Sequence, residues 1–554
     1  MPQLPRARQG RCAIAIALLL ALVSCSDDAS EPPPSDGGVT APDADAQGGA
    51  PDSGGAIVTD RGPVVGQMVG NVTAFLGIPY AAPPVRDLRW RAPREHDAWA
   101  TPLDAAAFGA ACPQGADLLG EKTAWDEDCL TLNVWTPTPS RGASLPVMVF
   151  IHGGAFRNGA SSKPLYDGKS LAALGNVVVV SMNYRLGSMG FLAHPGLSAE
   201  DEHGSSGNYG LLDQRAALRW VQTNIAAFGG NPDNVTIFGE SAGSMSVCTH
   251  LASPLSAGLF RRAIGESGSC LYFVTPLHTA PGTTMASAES RGSAFAKSIG
   301  CDAVSDAVAC LRAKSAAEIV SAPYNPEGDI GFAASMPQPN IDGYLLVESP
   351  ASAFLGGRVN AIDAFIGGTN QDEATFFTRT KTIATVDDYR AEVGIIVPAH
   401  VDDVLALYPA DGTTYATPKD AYDAFVTDLT FVCPTRTQLR LLALRGIRTY
   451  QYQFEKLTPF GRISKLGVFH ASELPFVFGN LTDTSGTSAT DRALATAMGG
   501  AWTRFAKVGD PNDDSTVWPA RTANADVYLR INDVSTIGTG LHQATCDAMT
   551  SWFP

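Results

Sequence analysis

Val235-Thr-Ile-Phe-Gly-Glu-Ser-Ala-Gly-Ser-Met-Ser-Val-Cys-Thr-His-Leu251 is the stretch on which the fold turns. Residues 235–238 are β-branched or aromatic and read as a short strand. Residues 242–251 read as a helix. Between them Gly239-Glu240-Ser241-Ala242-Gly243 has the form G-x-S-x-G, a sharp strand-to-helix turn that exposes a serine oxygen. Glycines permit the turn because they have no side chain. The following helix start aims backbone N–H groups and a positive dipole end at the serine. A bare G-x-S-x-G arises by chance in many long chains; the strand and helix on either side make this one a candidate nucleophile elbow.

Working outward, residues 145–152 (LPVMVFIH) and 177–183 (VVVVSMN) are continuous apolar runs bounded by Gly or Pro. Such runs are strands buried on both faces, as in a parallel sheet. Residues 211–228 have helical spacing, with Leu211, Leu212, Leu218, Val221, Ile225 and Phe228 on one side. Further strands are expected at 263–265, 364–366 and 449–454, and a late helix at 491–507. This alternation predicts an α/β fold, a large mostly parallel sheet with helices on both faces.

A nucleophilic serine needs a base, and the base needs an orienting carboxylate. In α/β-hydrolase order the acid and then the histidine follow the serine. His400, His470 and His542 lie late enough for an acid near 370. His400 suits a helix start and His542 a polar C-terminal stretch. His470 lies in Gly467-Val-Phe-His-Ala-Ser-Glu-Leu-Pro-Phe476, a loop after a strand, where this fold needs its base. Asp372 and Glu373 both follow the strand-like Phe365-Ile-Gly-Gly-Thr369, and pattern alone does not rank them. His152-Gly153-Gly154-Ala155-Phe156 ends the 145–152 strand and resembles the HGGG-type loop whose N–H groups help to form an oxyanion hole.

The chain has 554 residues, 45% hydrophobic and 17% charged, with a net charge of −16. That balance excludes global disorder and disfavours nucleic acid as a partner, since no basic stripe offsets the acidity. No apolar run reaches the roughly 18–20 residues of a membrane-spanning helix. Residues 1–25 read as an export signal: Arg6, Arg8 and Arg11 precede the apolar stretch 12–23. Leu22-Val23-Ser24-Cys25 resembles the bacterial lipobox, which implies lipidation of Cys25. Residues 26–56 hold five Pro, six Gly and seven acids, with no Lys, Arg or aromatic residue. They read as a disordered tether. The body is expected over 57–554 as a single domain, since no repeat or second linker interrupts it. The protein is thus expected to be exported, and held at a membrane only by its lipid, facing the periplasm or cell exterior, or secreted if unlipidated.

Ten cysteines are present; setting aside Cys12 and Cys25 leaves eight. No C-x-x-C pair or Cys/His cluster suggests a metal, so disulfides are the expected use in an exported chain. Cys112 and Cys129 bracket a 16-residue loop, and Cys301 and Cys310 a shorter one. Cys433–Cys546 and Cys248–Cys270 are the leftover pairings, with a buried free thiol as the alternative for Cys248.

The stretch Phe228-Gly-Gly-Asn-Pro-Asp-Asn-Val-Thr-Ile-Phe-Gly-Glu-Ser-Ala-Gly243 resembles the serine signature of the type-B carboxylesterase/lipase family, which includes cholinesterases and fungal lipases. Glu127-Asp-Cys-Leu-Thr-Leu-Asn-Val-Trp-Thr-Pro137 resembles its second signature. Phe75-Leu-Gly-Ile-Pro-Tyr80, Asn183-Tyr-Arg-Leu-Gly187 and Gly509-Asp-Pro-Asn512 are similar landmarks, so the likeness runs from about residue 57 to the C-terminus.

The resemblance implies the α/β-hydrolase fold with long loop insertions, and Ser241 as nucleophile, Glu373 as acid and His470 as base. Glu373 is preferred over Asp372 through the family's Gly-Thr-x-x-x-Glu placement. It further implies oxyanion donors at Gly154, Ala155 and Ala242, and supporting carboxylates at Glu240 and Glu473. Family disulfides resemble Cys112–Cys129, Cys301–Cys310 and Cys433–Cys546. The expected activity is hydrolysis of small-molecule carboxylic esters through an acyl-enzyme, with no cofactor and no metal. Two rivals remain: a lipase on long-chain glycerides, and a non-catalytic cholinesterase-like binding module. Three departures stand out. Ala155 replaces the third glycine of the commonest oxyanion loop. The 112–129 loop looks shorter than the lid-bearing loop of fungal lipases, which favours an esterase. Trp125 does not match the spacing of the choline-stacking tryptophan of cholinesterases.

Overall fold

The apolar runs pair side by side into one sheet. A computed structural model of the chain describes residues 55–552 apart from 118–119, 141, 273, 280–285, 303, 325–337, 483–485 and 515–516. The expected signal with Cys25, and all but the last two residues of the 26–56 tether, lie outside the described residues. In chain order the main sheet contains β1 (Gln67–Val69), β2 (Val72–Pro79), β3 (Thr131–Thr136), β4 (Leu145–Ile151), β5 (Val178–Met182) and β6 (Gly230–Glu240). It continues with β7 (Arg262–Glu266), β8 (Ala364–Asn370), β9 (Arg448–Phe454), β10 (Val527–Ile531) and β11 (Thr536–Thr539). Their order across the sheet is β11-β10-β9-β8-β7-β6-β4-β5-β3-β2-β1. From β5 to β10 neighbours run parallel, while β1 to β3 and β11 add antiparallel pairs at the two edges. This is the mostly parallel α/β-hydrolase sheet.

Side-chain alternation divides the parallel strands between two cores. From β4, Val147, Val149 and Ile151 join the cluster beneath α1 (Tyr209–Asn224) and α2 (Ala242–Ala252), with Leu211, Leu218, Val221, Val247 and Leu251. Met148 and Phe150 face the opposite side, where they join Leu494, Met498, Trp502 and Phe505 of α5 (Ala489–Val508). Two helices between β8 and β9 complete the set used below: α3 (Pro418–Thr427) and α4 (Cys433–Leu444). The last helix is α6 (Gln543–Trp552). The sequence places a capping box at the start of α5, Ser488 with Asp491, and Gly509 at φ 74° closes it.

Several elements run longer than their local pattern predicts, and neighbours explain it. The strand expected at 235–238 begins at Gly230, which pairs with Leu145. That expected at 364–366 continues through Gly367 and Gly368 to Asn370, all paired with β9. Glycine breaks the apolar pattern there, yet a Cβ on Gly368 would lie 2.2 Å from the Tyr452 ring, so the close approach requires it. The helix expected over 211–228 tightens to a 3₁₀ turn after Asn224.

Among the described residues four disulfides are present: Cys112–Cys129, Cys248–Cys270, Cys301–Cys310 and Cys433–Cys546. Cys248 is therefore bonded rather than a free thiol; it joins α2 to the loop after β7. Cys433–Cys546 spans 113 positions and ties the start of α4 to α6. These bonds belong to an oxidising, exported setting. Among the described residues no helix is long and apolar enough to cross a membrane.

Candidate active site

Register across β4, β6, β7 and β8 brings the site together. Ile151 pairs with Gly239, Gly239 with Gly265, and Gly265 with Gly367. The loops that leave these strands at one edge therefore carry His152, Ser241, Ser267 and Glu373 side by side.

The elbow is held by backbone contact. Ser241 sits at φ 58°, ψ −122°, a strained conformation for a residue with a side chain. A Cβ on Gly243 would lie 1.9 Å from the Ile151 carbonyl oxygen, and one on Gly239 would lie 2.6 Å from Gly243 itself. Both glycines are thus demanded by packing. The Ser241 N–H donates to the Glu266 carbonyl at 2.9 Å, and its own carbonyl accepts from Met245 N–H at 3.0 Å.

The loop after β4 lies against the elbow: a Cβ on Gly153 would fall 3.1 Å from Ser241 Cβ. Gly154 has φ 106°, and a side chain there would lie 2.0 Å from the Asn158 carbonyl. Ala155 and Phe156 follow at φ 55° and 58°. His152 anchors the loop. Its Nδ1 lies 2.8 Å from the Gly153 carbonyl, its ring stacks on Tyr184, and the Tyr184 hydroxyl donates to its carbonyl. Burial lowers the His152 pKa to about 4, so the ring is neutral. Among the described residues the N–H groups of Gly154 and Ala155 donate no hydrogen bond, which leaves them available to an oxyanion.

Across the edge, His470 Nδ1 lies 2.6 Å from Glu373 Oε2, both buried. Glu373 is fixed in turn by the Asn370 N–H, which donates to Oε1 at 2.6 Å. On the other side of the ring, Glu240 Oε1 lies 3.0 Å from Nε2, but the geometry is not that of a hydrogen bond, and Nε2 has no hydrogen-bond partner. A Ser241–His470 hydrogen bond is therefore absent in this resting arrangement. Catalytic hydrogen bonds commonly tighten only when substrate is bound. Burial alone would lower the His470 pKa; the charges of Glu240 and then Glu373 outweigh it and raise it well above 6.5.

Sequence reasoning left Asp372 and Glu373 unranked until the family motif was applied. Geometry gives them different surroundings: Asp372 Oδ2 accepts the Val468 N–H at 2.7 Å and so braces the loop that carries His470. His400 pairs with Asp403 and stacks on Trp552, and His542 pairs with Asp428; neither is at the site.

Glu240 and Glu473 belong to a larger buried group. Asn370 Nδ2 donates to Glu473 Oε2 at 2.6 Å, and the Ser267 hydroxyl donates to Oε1 at 3.4 Å. Burial, then the charges of Glu240 and Glu373, push Glu473 up to about 8, so it is largely protonated at neutral pH. Glu266 accepts from the Trp502 indole at 2.5 Å and is raised well above 4.5 by burial and by Glu473. Sequence reading missed Glu266, Ser267, Asn370 and Trp502. A signal existed for two of them: Gly265-Glu-Ser267 repeats the Gly239-Glu-Ser241 of the elbow, and the strands place Glu240 opposite Glu266. Ser267 also takes positive φ, 51°. Among the described residues no His, Cys, Asp and Glu group could hold a metal ion.

The arrangement offers a strained serine, a buried carboxyl–imidazole pair and unengaged N–H donors, the parts acyl transfer requires. The carboxylesterase family model matches residues 54–549. Para-nitrobenzyl esterase of Bacillus subtilis (strain 168) is 38% identical over 481 residues, 84% of this chain and 92% of that protein. Cholinesterase of Mus musculus is 35% identical over 537 residues, 89% of this chain and 84% of that protein.

Proposed function

Because the chain belongs to the carboxylesterase family and is an ester hydrolase, we propose that Ser241 is its nucleophile, His470 its general base and Glu373 the acid that orients the base. Ser241 Oγ attacks the ester carbonyl as His470 Nε2 takes its proton. The tetrahedral oxyanion rests on the N–H groups of Gly154, Ala155 and Ala242; losing one such donor costs about 100- to 1,000-fold in rate. His470 then protonates the departing alcohol, leaving an acyl-enzyme, and activates the water that hydrolyses it. Glu373 stabilises the imidazolium formed in each half-reaction. Glu240 adds to that stabilisation, while Glu473, largely protonated, supports the network without adding a further full charge.

One observation carries this reading: His470 sits with Nδ1 2.6 Å from Glu373 while Nε2, on the side of Glu240 and the elbow, has no hydrogen-bond partner. A binding module needs no such pair. Esters of small aromatic alcohols, the class named by the para-nitrobenzyl relative, are favoured over long-chain glycerides. The same proposal includes export, lipidation at Cys25 and a tether over 26–56 that holds the catalytic body off a membrane.

Fluorophosphonate labelling of the full chain in fractionated cells tests both parts. Wild type is expected to label in the membrane fraction and Ser241→Ala to stay unlabelled, while Cys25→Ala labels in the soluble fraction. An unlabelled wild type overturns the catalytic assignment, and a membrane-bound Cys25→Ala overturns the anchor.

A further inference from the structure

Behind the acid–base pair lies a polar cluster that the esterase mechanism leaves unused. Asp428 opens a single π-helical turn, Asp428–Val432, between α3 and α4. Its carboxylate is buried, with 3% of the side chain exposed. Tyr408 and Thr545 hydroxyls donate to Oδ2 at 2.7 and 3.0 Å, and His542 Nδ1 bonds to Oδ1. His542 lies just before α6 and keeps 39% of its side chain exposed. The cluster therefore links solvent to the interior through one imidazole.

The other face of the same turn touches the catalytic pair. The Phe431 ring lies 5.2 Å from the His470 ring and stacks on Phe377 at 5.8 Å. Phe377 itself lies 4.7 Å from His470. Thr427, the residue before the turn, accepts the Ala374 N–H on Oγ1 at 3.1 Å, at the amide next to Glu373. A π-turn widens a helix by one residue, and such turns recur at functional sites because they re-aim side chains. Here the turn carries Phe431 against His470 on one side and Asp428 against the C-terminal segment on the other. Cys433–Cys546 ties the exit of the turn to that segment as well.

Building on the esterase reading, we propose that Asp428 and His542 are positioning residues for catalysis: the ion pair fixes the π-turn that holds Phe431 against His470 and Thr427 beside Glu373. Neither residue touches substrate. A buried carboxylate is costly to leave without a cation, so loss of the His542 charge loosens the turn. The charged groups facing the pair are few. Arg436 on α4 opposes the His542 charge but is itself bound to Asp526, Glu455 at the end of β9 favours it, and Tyr408 and Tyr415 flank Asp428. Burial lowers the His542 pKa, but the hydrogen bond and charge of Asp428 prevail and raise it above 6.5. The pair is thus intact below that raised pKa and lost as pH climbs through it, which gives the enzyme an alkaline limb separate from the acid limb of His470.

Two substitutions in the full chain decide it, with kcat and KM for p-nitrophenyl acetate followed across pH and expressed per folded protein. His542→Gln removes the charge and is expected to lower kcat roughly 2- to 30-fold, with KM little changed and the alkaline fall gone. His542→Arg keeps the charge at all pH values and is expected to retain wild-type kcat while the alkaline fall also disappears. If His542→Gln matches wild type in kcat and pH profile, or His542→Arg falls as far as His542→Gln, the inference is wrong. An inactive wild type would instead overturn the esterase reading on which it rests.

Discussion

The two halves of the site are built by different means. The serine half is a continuous stretch, Gly239 to Gly243, locked by backbone contacts: glycines that cannot carry a Cβ, a carbonyl of β4 pressed against the helix start, and a strained φ at Ser241. The base half joins residues 97 positions apart, Glu373 and His470, through side-chain hydrogen bonds and buried charge. A half made of backbone tolerates almost no change in shape and is insensitive to pH. A half made of paired charges tolerates changes in shape, but its behaviour depends on protonation. Pre-organisation thus comes from sterics on one side and electrostatics on the other.

Substitutions that strike one half and not the other sharpen this contrast. Gly243→Ala forces the elbow away from Ile151 and is expected to cost on the order of 100-fold in kcat through misplacement of Ser241, with an unaltered pH profile. A fall in activity accompanied by a moved pH limb would erase the distinction. Glu240→Gln acts oppositely: Glu240 belongs to the elbow by its backbone, but its side chain faces His470, so the substitution changes the charge around the base with little change in shape. With His470 as the proposed base, attack needs its neutral form, and its raised pKa means activity is expected to be lost as pH falls through it. Removing the Glu240 charge lowers that pKa, so the acid limb of kcat/KM is expected to move to lower pH, with a smaller effect on the plateau. An unmoved limb would show that Glu240 does not govern the imidazole.

The same contrast explains what could be read from the chain. The elbow and the apolar strands were legible because their determinants are local: glycine spacing, continuous apolar runs, and a helix start. The extension of β8 to Asn370 was less so, since the apolar pattern stops at Ile366 and the reason for glycine beyond it, the Tyr452 ring against Gly368, lies far along the chain. For the base half, Asp372 and Glu373 differ by one position and by which way each side chain leaves the chain, and only the family motif ranked them. Glu266 and Asn370 escaped notice because a buried polar side chain gains its meaning from partners distant in sequence, Trp502 and Glu473 among them. The role of Asp428 was equally hidden, for nothing in Asp428-Leu-Thr-Phe-Val432 announces a π-turn.

The central claim is that these two differently built halves work as one catalytic unit. Measuring kcat for Ser241→Ala, His470→Ala and the double variant tests it most directly. Each single substitution is expected to cost on the order of 10⁶-fold, with the double variant hardly slower than either. Losses that multiply in the double variant would contradict the account, because they would mean that Ser241 and His470 act independently.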